Sequence, residues 1–238
     1  MKCLIVAAGQ GTRLREKGEL KPLIRINGVP LIERVIGCAR SAGIDGFVVV
    51  SGYRGEQLRE ALDVLAVREG ISVTHVVNAL WNRANGLSVL AAKARLTEPF
   101  LLTMCDHLVD ADIYRILAAS PVGRDGVTLG VDFNLNCPLN DLEDVTRVKC
   151  ADGRIERIGK IIRDFNAIDT GVFHCTPIIF DALEASQAEG DDSISGAMNM
   201  LARWSRAYVL DIGERLWVDV DDPMAFDKAE ALLKSGRL

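Results

Sequence analysis

Gly9-Gln10-Gly11-Thr12-Arg13, followed by Lys21, has the residue types that grip a polyphosphate. Gly9 and Gly11 let the backbone bend and approach a ligand without a Cβ in the way. Successive N–H groups from Ala8 through Gln10 to Thr12 can then point at phosphate oxygens. Arg13 can fork onto two oxygens, and Lys21 supplies a compact point charge. Glycines alone fit an ordinary strand-to-helix turn equally well. The loop lacks the third glycine of a dinucleotide fingerprint and the Gly-Lys-Ser/Thr ending of a Walker loop, which disfavours both.

Three aspartates add to this set. Asp106 follows the apolar run Phe100–Met104, at the tip of a buried strand. A carboxylate there suits Mg2+, although Asp is also common in strand-end turns. In the segment 216–223, alternation puts Asp219 and Asp221 on one face and Val218 and Val220 on the other. Two close like charges are costly unless a cation lies between them, so the pair is a metal candidate. Asp222 and Pro223 read instead as the cap and first residue of a helix over 223–233. His107 either lines the site or is a solvated histidine. No Ser/His/Asp or Cys/His constellation is present.

The elements that position these residues follow from periodicity. Residues 3–8 are a buried strand, and 23–26 a short one ending at the Asn27-Gly28 turn. Pro30 opens a helix with Leu31, Ile32, Val35, Ile36 and Ala39 on one face and Gly43 as its stop. Strands over 47–50 and 71–77 flank an amphipathic helix over 56–67. Asn85 is a natural cap for a helix carrying Leu87, Leu90, Ala91 and Ala94. Beyond the strand at 100–104 come a helix over 111–120, a strand over 126–133 and a loop over 134–144 that either borders the ligand site or, the favoured reading, is solvated surface. Asp152-Gly153 joins 146–150 to 154–158 as an antiparallel hairpin. Helices over 177–187 and 193–202 and a strand over 207–212 complete the pattern. This alternation predicts an α/β fold: a three-layer α/β/α sandwich with a mixed, mostly parallel sheet. Ligands in such sheets bind at the carboxyl ends of the strands. The glycine loop, Asn78 and Asp106 all fall there.

Composition sets the outer bounds. The 238 residues fit one large domain, and the 49% hydrophobic content supports a sizeable core. A net charge of −5 gives no basic field for nucleic acid. The cysteines form no CxxC pair and have no zinc spacing, which points to a reducing cytoplasm. The N-terminus reads as a strand rather than a signal peptide, and no apolar run approaches the ~20 residues that span a bilayer. The sequence allows a homo-oligomer without specifying one.

The run Ala7-Ala8-Gly9-Gln10-Gly11-Thr12-Arg13-Leu14, with Lys21-Pro22-Leu23, resembles the signature of the sugar-phosphate nucleotidyltransferases. That resemblance implies a Rossmann-like nucleotidyltransferase fold and transfer of a nucleoside monophosphate from an NTP to a phosphorylated acceptor. It implies nucleotide contacts at Asn85, Gly86 and Ser88, with Asn78 a weaker member. It makes Asp106 a metal ligand, with Asp219 and Asp221 completing the site. A lone lysine after a strand is usually solvated. The resemblance of Lys160 and the run Asn166-Ala-Ile-Asp-Thr-Gly-Val-Phe173 to the family's pattern implies instead that Lys160 binds the acceptor phosphate, with Asp169 and Thr170 on its hydroxyls and Arg163 a weaker candidate. The segments 144–149, 158–160, 165–173 and 217–223 are most similar to the CTP:inositol-1-phosphate cytidylyltransferases. The implied substrates are CTP and a phosphorylated polyol, with Mg2+ as cofactor. The implied partner is a membrane-embedded lipid synthase, fused or separate, which would bring the chain to the cytoplasmic face of the membrane. About 1–110 would form the nucleotide-binding half and 111–238 the acceptor half.

Overall fold

The computed structural model describes residues 1–120, 125–139 and 141–238. Asn140, inside the predicted loop over 134–144, lies outside them. The chain begins with β1 (Lys2–Ala7) and a small hairpin of β2 (Arg25–Ile26) and β3 (Val29–Pro30). Asn27 and Gly28, both at positive φ, turn that hairpin. Next come α1 (Leu31–Ser41), β4 (Gly46–Ser51), α2 (Gly55–Glu69), β5 (Ser72–Val77) and α3 (Gly86–Ala91). β6 (Phe100–Met104) leads to β7 (His107–Val109), α4 (Ala111–Ala119) and β8 (Val127–Asp132). The second half holds β9 (Arg147–Ala151), β10 (Arg154–Gly159), β11 (Ala167–Cys175), α5 (Ile178–Ala188) and α6 (Ile194–Arg203). It closes with β12 (Ala207–Asp211), β13 (Trp217–Asp219) and α7 (Pro223–Lys234). Pro30 belongs to β3 and precedes α1, one residue earlier than the sequence suggests, because its backbone pairs with Arg25.

One nine-stranded sheet runs β5-β4-β1-β6-β11-β8-β12-β10-β9. β5, β4, β1 and β6 are parallel neighbours; β11 and β10 run against the rest. The mixed, mostly parallel sheet is therefore as expected. Strand alternation gives it two apolar faces. Cys3, Ile5 and Ala7 of β1 face a core closed by α1, α2, α4 and α7. Leu4 and Val6 face the core closed by α3, α5 and α6. These are the three layers.

Two irregularities matter for chemistry. β7 and β13 form a separate antiparallel ribbon, with Asp219 opposite His107. The Val220 amide extends it by donating to the Asp106 carbonyl at 2.9 Å. In β11 the register against β8 slips between Asp169 and Phe173, around Gly171 at φ 73°. Both lie beside the end of β6.

Candidate active site

β1 ends at Ala7, and the loop that follows opens into a cavity of about 500 Å3. Gly9 has open space where a Cβ would be, which suits close approach of a ligand. Gly11 has a different role. It is at φ 63°, and a Cβ there would lie 2.4 Å from the Cβ of Lys21. The glycine therefore seats the stem of Lys21, which the turn Lys21–Leu23 brings back over the loop.

Lys21 is 6% exposed. Its Nζ donates to Asp106 Oδ2 at 2.5 Å and to Asp221. Burial alone would lower its pKa, but Asp106 and Asp221 outweigh that and raise it. Lys21 is thus a fixed positive charge. Burial pushes the Asp106 carboxyl up, yet Lys21 and His107 overcome this and hold it below the usual range. Asp221 goes the other way, raised by burial and by the charge of Asp219.

At the other end Lys160 donates to Asp144 at 2.7 Å. Arg13 reaches from the glycine loop to both Asp144 and Asp221. Hydrogen bonds from Lys160 and Arg13 hold Asp144 at a pKa of about 2. Asp144 belongs to the loop over 134–144, for which the sequence favoured solvated surface over a place beside the site. Together with Leu139 and Asp141 it forms a wall of the cavity. Asp169 lines the same cavity, and its burial raises its pKa to about 6.

Beside Lys21 stand Asp106, His107 and Asp219, whose ligand atoms lie within 4.8 Å of one another. Asp106 Oδ1 and Asp219 Oδ1 are buried and lack a hydrogen-bond partner among the described residues. An orphaned carboxylate oxygen on each of two adjacent acids fits a bound divalent cation. Asp221 turns instead to Lys21 and Arg13.

Ala8, Gly9, Gly11, Thr12, Arg13, Lys21, Asn85, Asp106, Lys160, Asp169, Asp219 and Asp221 all reach the cavity. Gln10 does not line it. Asn78 and Ser88 are buried and bonded to each other at 2.9 Å. Gly86 packs under α6, where a Cβ would meet the Asp192 carbonyl at 2.3 Å. Thr170 turns its hydroxyl inward to the Gly130 carbonyl at 2.7 Å. Asn85 precedes α3 as expected, but its side chain accepts from the Ile194 amide of α6 rather than capping its own helix. Asp222 caps α7 through the Ala225 amide at 2.8 Å, as expected. Another hollow, of about 570 Å3, lies between α1, α2 and residues 233–238. It holds none of the predicted residues, and its Arg34 and Arg40 are engaged by the Ile26 carbonyl and Glu69.

Comparison with known proteins gives the family and the fold. The family described as MobA-like NTP transferase domain matches residues 3–151. Over 234 residues the chain is 32% identical to a bifunctional IPC transferase and DIPP synthase of Rubrobacter xylanophilus, covering 96% of this chain and 51% of that protein. A protein of the same description from Thermococcus kodakarensis is 31% identical over 235 residues, 98% of this chain and 50% of that one. The chain thus spans about half the length of the curated relatives it matches. Among solved structures, the inositol-1-phosphate CTP transferase from T. maritima superposes with a TM-score of 0.86 at 26% identity, over 98% of this chain and 94% of that one. A UDP-glucose pyrophosphorylase complexed with UDP-glucose has a TM-score of 0.82 at 19% identity, covering 99% of this chain and 98% of that one, a likeness of fold.

Proposed function

This chain belongs to the MobA-like NTP transferase family, and from that premise we propose that it transfers CMP from CTP to inositol 1-phosphate, giving CDP-inositol and pyrophosphate. The observation that carries the reading is the meeting in one cavity of a glycine loop with Arg13 and Lys21, a carboxylate pair, and Lys160. An acceptor phosphate oxygen attacks the α-phosphorus of CTP, the bond to the β-phosphate breaks, and pyrophosphate leaves in line. The nucleophile is already anionic near neutral pH, so no general base is required. Catalysis then consists of positioning and charge neutralisation.

Arg13 and Lys21 hold the leaving pyrophosphate, exchanging Asp221 and Asp144 for phosphate oxygens. Lys160 holds the acceptor phosphate, and Asp169 accepts from acceptor hydroxyls. Asn85, on the cavity wall, is the best-placed of the predicted base and ribose contacts. Nucleotidyltransferases of this family are in general metal-dependent. We assign a divalent cation to Asp106 and Asp219, with Asp221 turned to Lys21 and Arg13 instead. When bound, the ion supplies charge neutralisation between the α-phosphate and the nucleophile. In this reading 1–110 form the nucleotide half and 111–238 the acceptor half of one domain.

A phosphocholine acceptor is disfavoured because a quaternary ammonium needs an aromatic cage. Trp217 is the only Phe, Tyr or Trp on the cavity wall among the described residues, and Trp81 pairs with Tyr53 outside it. No helix among the described residues is long and apolar enough to cross a membrane. The relatives are named for a second, DIPP synthase function, and the product here would pass to such a synthase, fused or separate. A CTP donor argues for a cytoplasmic reaction. Incubating the chain with each NTP and a panel of phosphorylated acceptors tests the reading. Pyrophosphate release is expected with CTP and inositol 1-phosphate. Release with a hexose 1-phosphate alone would reassign the acceptor, and none with any pair would leave a nucleotide-binding regulatory protein.

A further inference from the structure

One imidazole in the middle of the cavity has no part in the reaction above. His107 follows Asp106 and opens β7. Its Nδ1 lies 2.8 Å from the Thr170 carbonyl oxygen, so Nδ1 carries the hydrogen and donates it. Nε2 faces the other way, 3.5 Å from Asp219 Oδ2 and 3.9 Å from Asp106 Oδ1. Both separations are longer than the ~2.7–3.2 Å of a sound N–H···O bond. They leave Nε2 unbonded, in a group with the two carboxylates whose ligand atoms all lie within 4.8 Å of one another. The remaining oxygen of Asp219 is orphaned and buried, as is the Asp106 oxygen nearest the ring.

The ring is held on its other sides as well. It stacks on Trp217, with centroids 6.1 Å apart and planes 20° apart. Trp217 is itself tied to Asp132 at 2.9 Å. Gly171 leaves the space the ring occupies: a Cβ there would lie 2.2 Å from Nδ1. An imidazole fixed through one nitrogen by a backbone carbonyl, with the other nitrogen aimed at carboxylates, has the usual setting of a metal-ligating histidine.

We propose that His107 is a nitrogen ligand to the divalent ion held by Asp106 and Asp219, making a one-imidazole, two-carboxylate centre that favours Mn2+ or Co2+ over Mg2+. The proposal rests on the reading of those two aspartates as metal carboxylates. Imidazole suits first-row transition ions, whereas Mg2+ prefers an all-oxygen octahedron. The centre would also link the metal to β11, since the ring is bonded to Thr170 and seated on Gly171 in the acceptor strand.

The test uses the full chain loaded with Mn2+ alone, read by pulsed EPR for coupling to a directly bound 14N. Calorimetric titrations with Mn2+ and Mg2+ run alongside. The wild type is expected to show the nitrogen coupling, and His107→Gln to lose it. His107→Gln should weaken Mn2+ on the order of tenfold or more, and Mg2+ far less. Asp219→Asn should weaken Mn2+ yet keep the coupling. If His107→Gln fails to fold, the wild-type spectrum still decides. Mn2+ bound without nitrogen coupling in the wild type overturns the proposal and leaves the carboxylate reading intact. No Mn2+ binding, with or without CTP, overturns both. The pyrophosphate assay with Mg2+ then reports independently on the reaction.

Discussion

Lys21 and Lys160 line one cavity, and they are built differently. Lys21 is 6% exposed, its stem packed on Gly11 and its ammonium held by both Asp106 and Asp221. The Lys160 side chain is 56% exposed and pairs with Asp144 at the end of β10. In the proposed reaction Lys21 is thus a prebuilt contact for the donor, its charge fixed before any nucleotide arrives. In the proposed reaction Lys160 is the adjustable contact, because an exposed lysine side chain can follow a phosphate.

The sharpest way to break the contrast is Lys21→Ala. It should lower turnover on the order of a hundredfold or more and cost roughly 3 kcal/mol of stability by leaving Asp106 and Asp221 without their shared cation. Pyrophosphate release and urea unfolding measure the two effects; normal turnover would remove Lys21 from the site. Asp169→Asn should act in the opposite sense on stability. The folded carboxyl has a pKa of about 6 against an ordinary 3.8, so the folded state binds the proton more tightly. Its contribution is therefore complete below about pH 4 and is lost as pH rises through about 6. In the metal-free chain the Asn variant should gain up to about 3 kcal/mol over wild type at neutral pH. That advantage should shrink towards pH 4, and a melting series across pH checks it.

Gly11→Ala and Gly171→Ala compare the two ends at the backbone. Both positions have positive φ, and in both a Cβ would strike a side chain of the site, Lys21 or His107. Each should cost roughly 1–3 kcal/mol. Melting curves matching wild type would show that the loops relax. The smallest effect belongs to Lys160→Ala, whose exposed ion pair is worth less than about 1 kcal/mol of stability. A large drop in its melting temperature would remove the distinction between the two lysines.

What was legible in the sequence had a local signal. The glycine loop, the Asp152-Gly153 hairpin and the Asp222-Pro223 helix start each depend on neighbours in the chain, and each is present. The β7–β13 ribbon was not legible, because two three-residue strands far apart in sequence carry no periodicity that names their partner. Alternation put Asp219 and Asp221 on one face of their segment, but the ribbon decides that Asp219 meets Asp106 and His107. Asp144 was obscured by the polar composition of its loop, and only the fold sets it between Arg13 and Lys160. Asn85 shows the reverse case. Its cap position was read correctly, but the side chain serves α6, a helix the local sequence does not reveal.

The proposed division of labour between a fixed donor contact at Lys21 and an adjustable acceptor contact at Lys160 is tested most directly by steady-state kinetics of Lys160→Ala with CTP and inositol 1-phosphate both varied. The account predicts an acceptor KM raised on the order of tenfold or more, with the KM for CTP unchanged. A raised KM for CTP with an unchanged acceptor KM would contradict it.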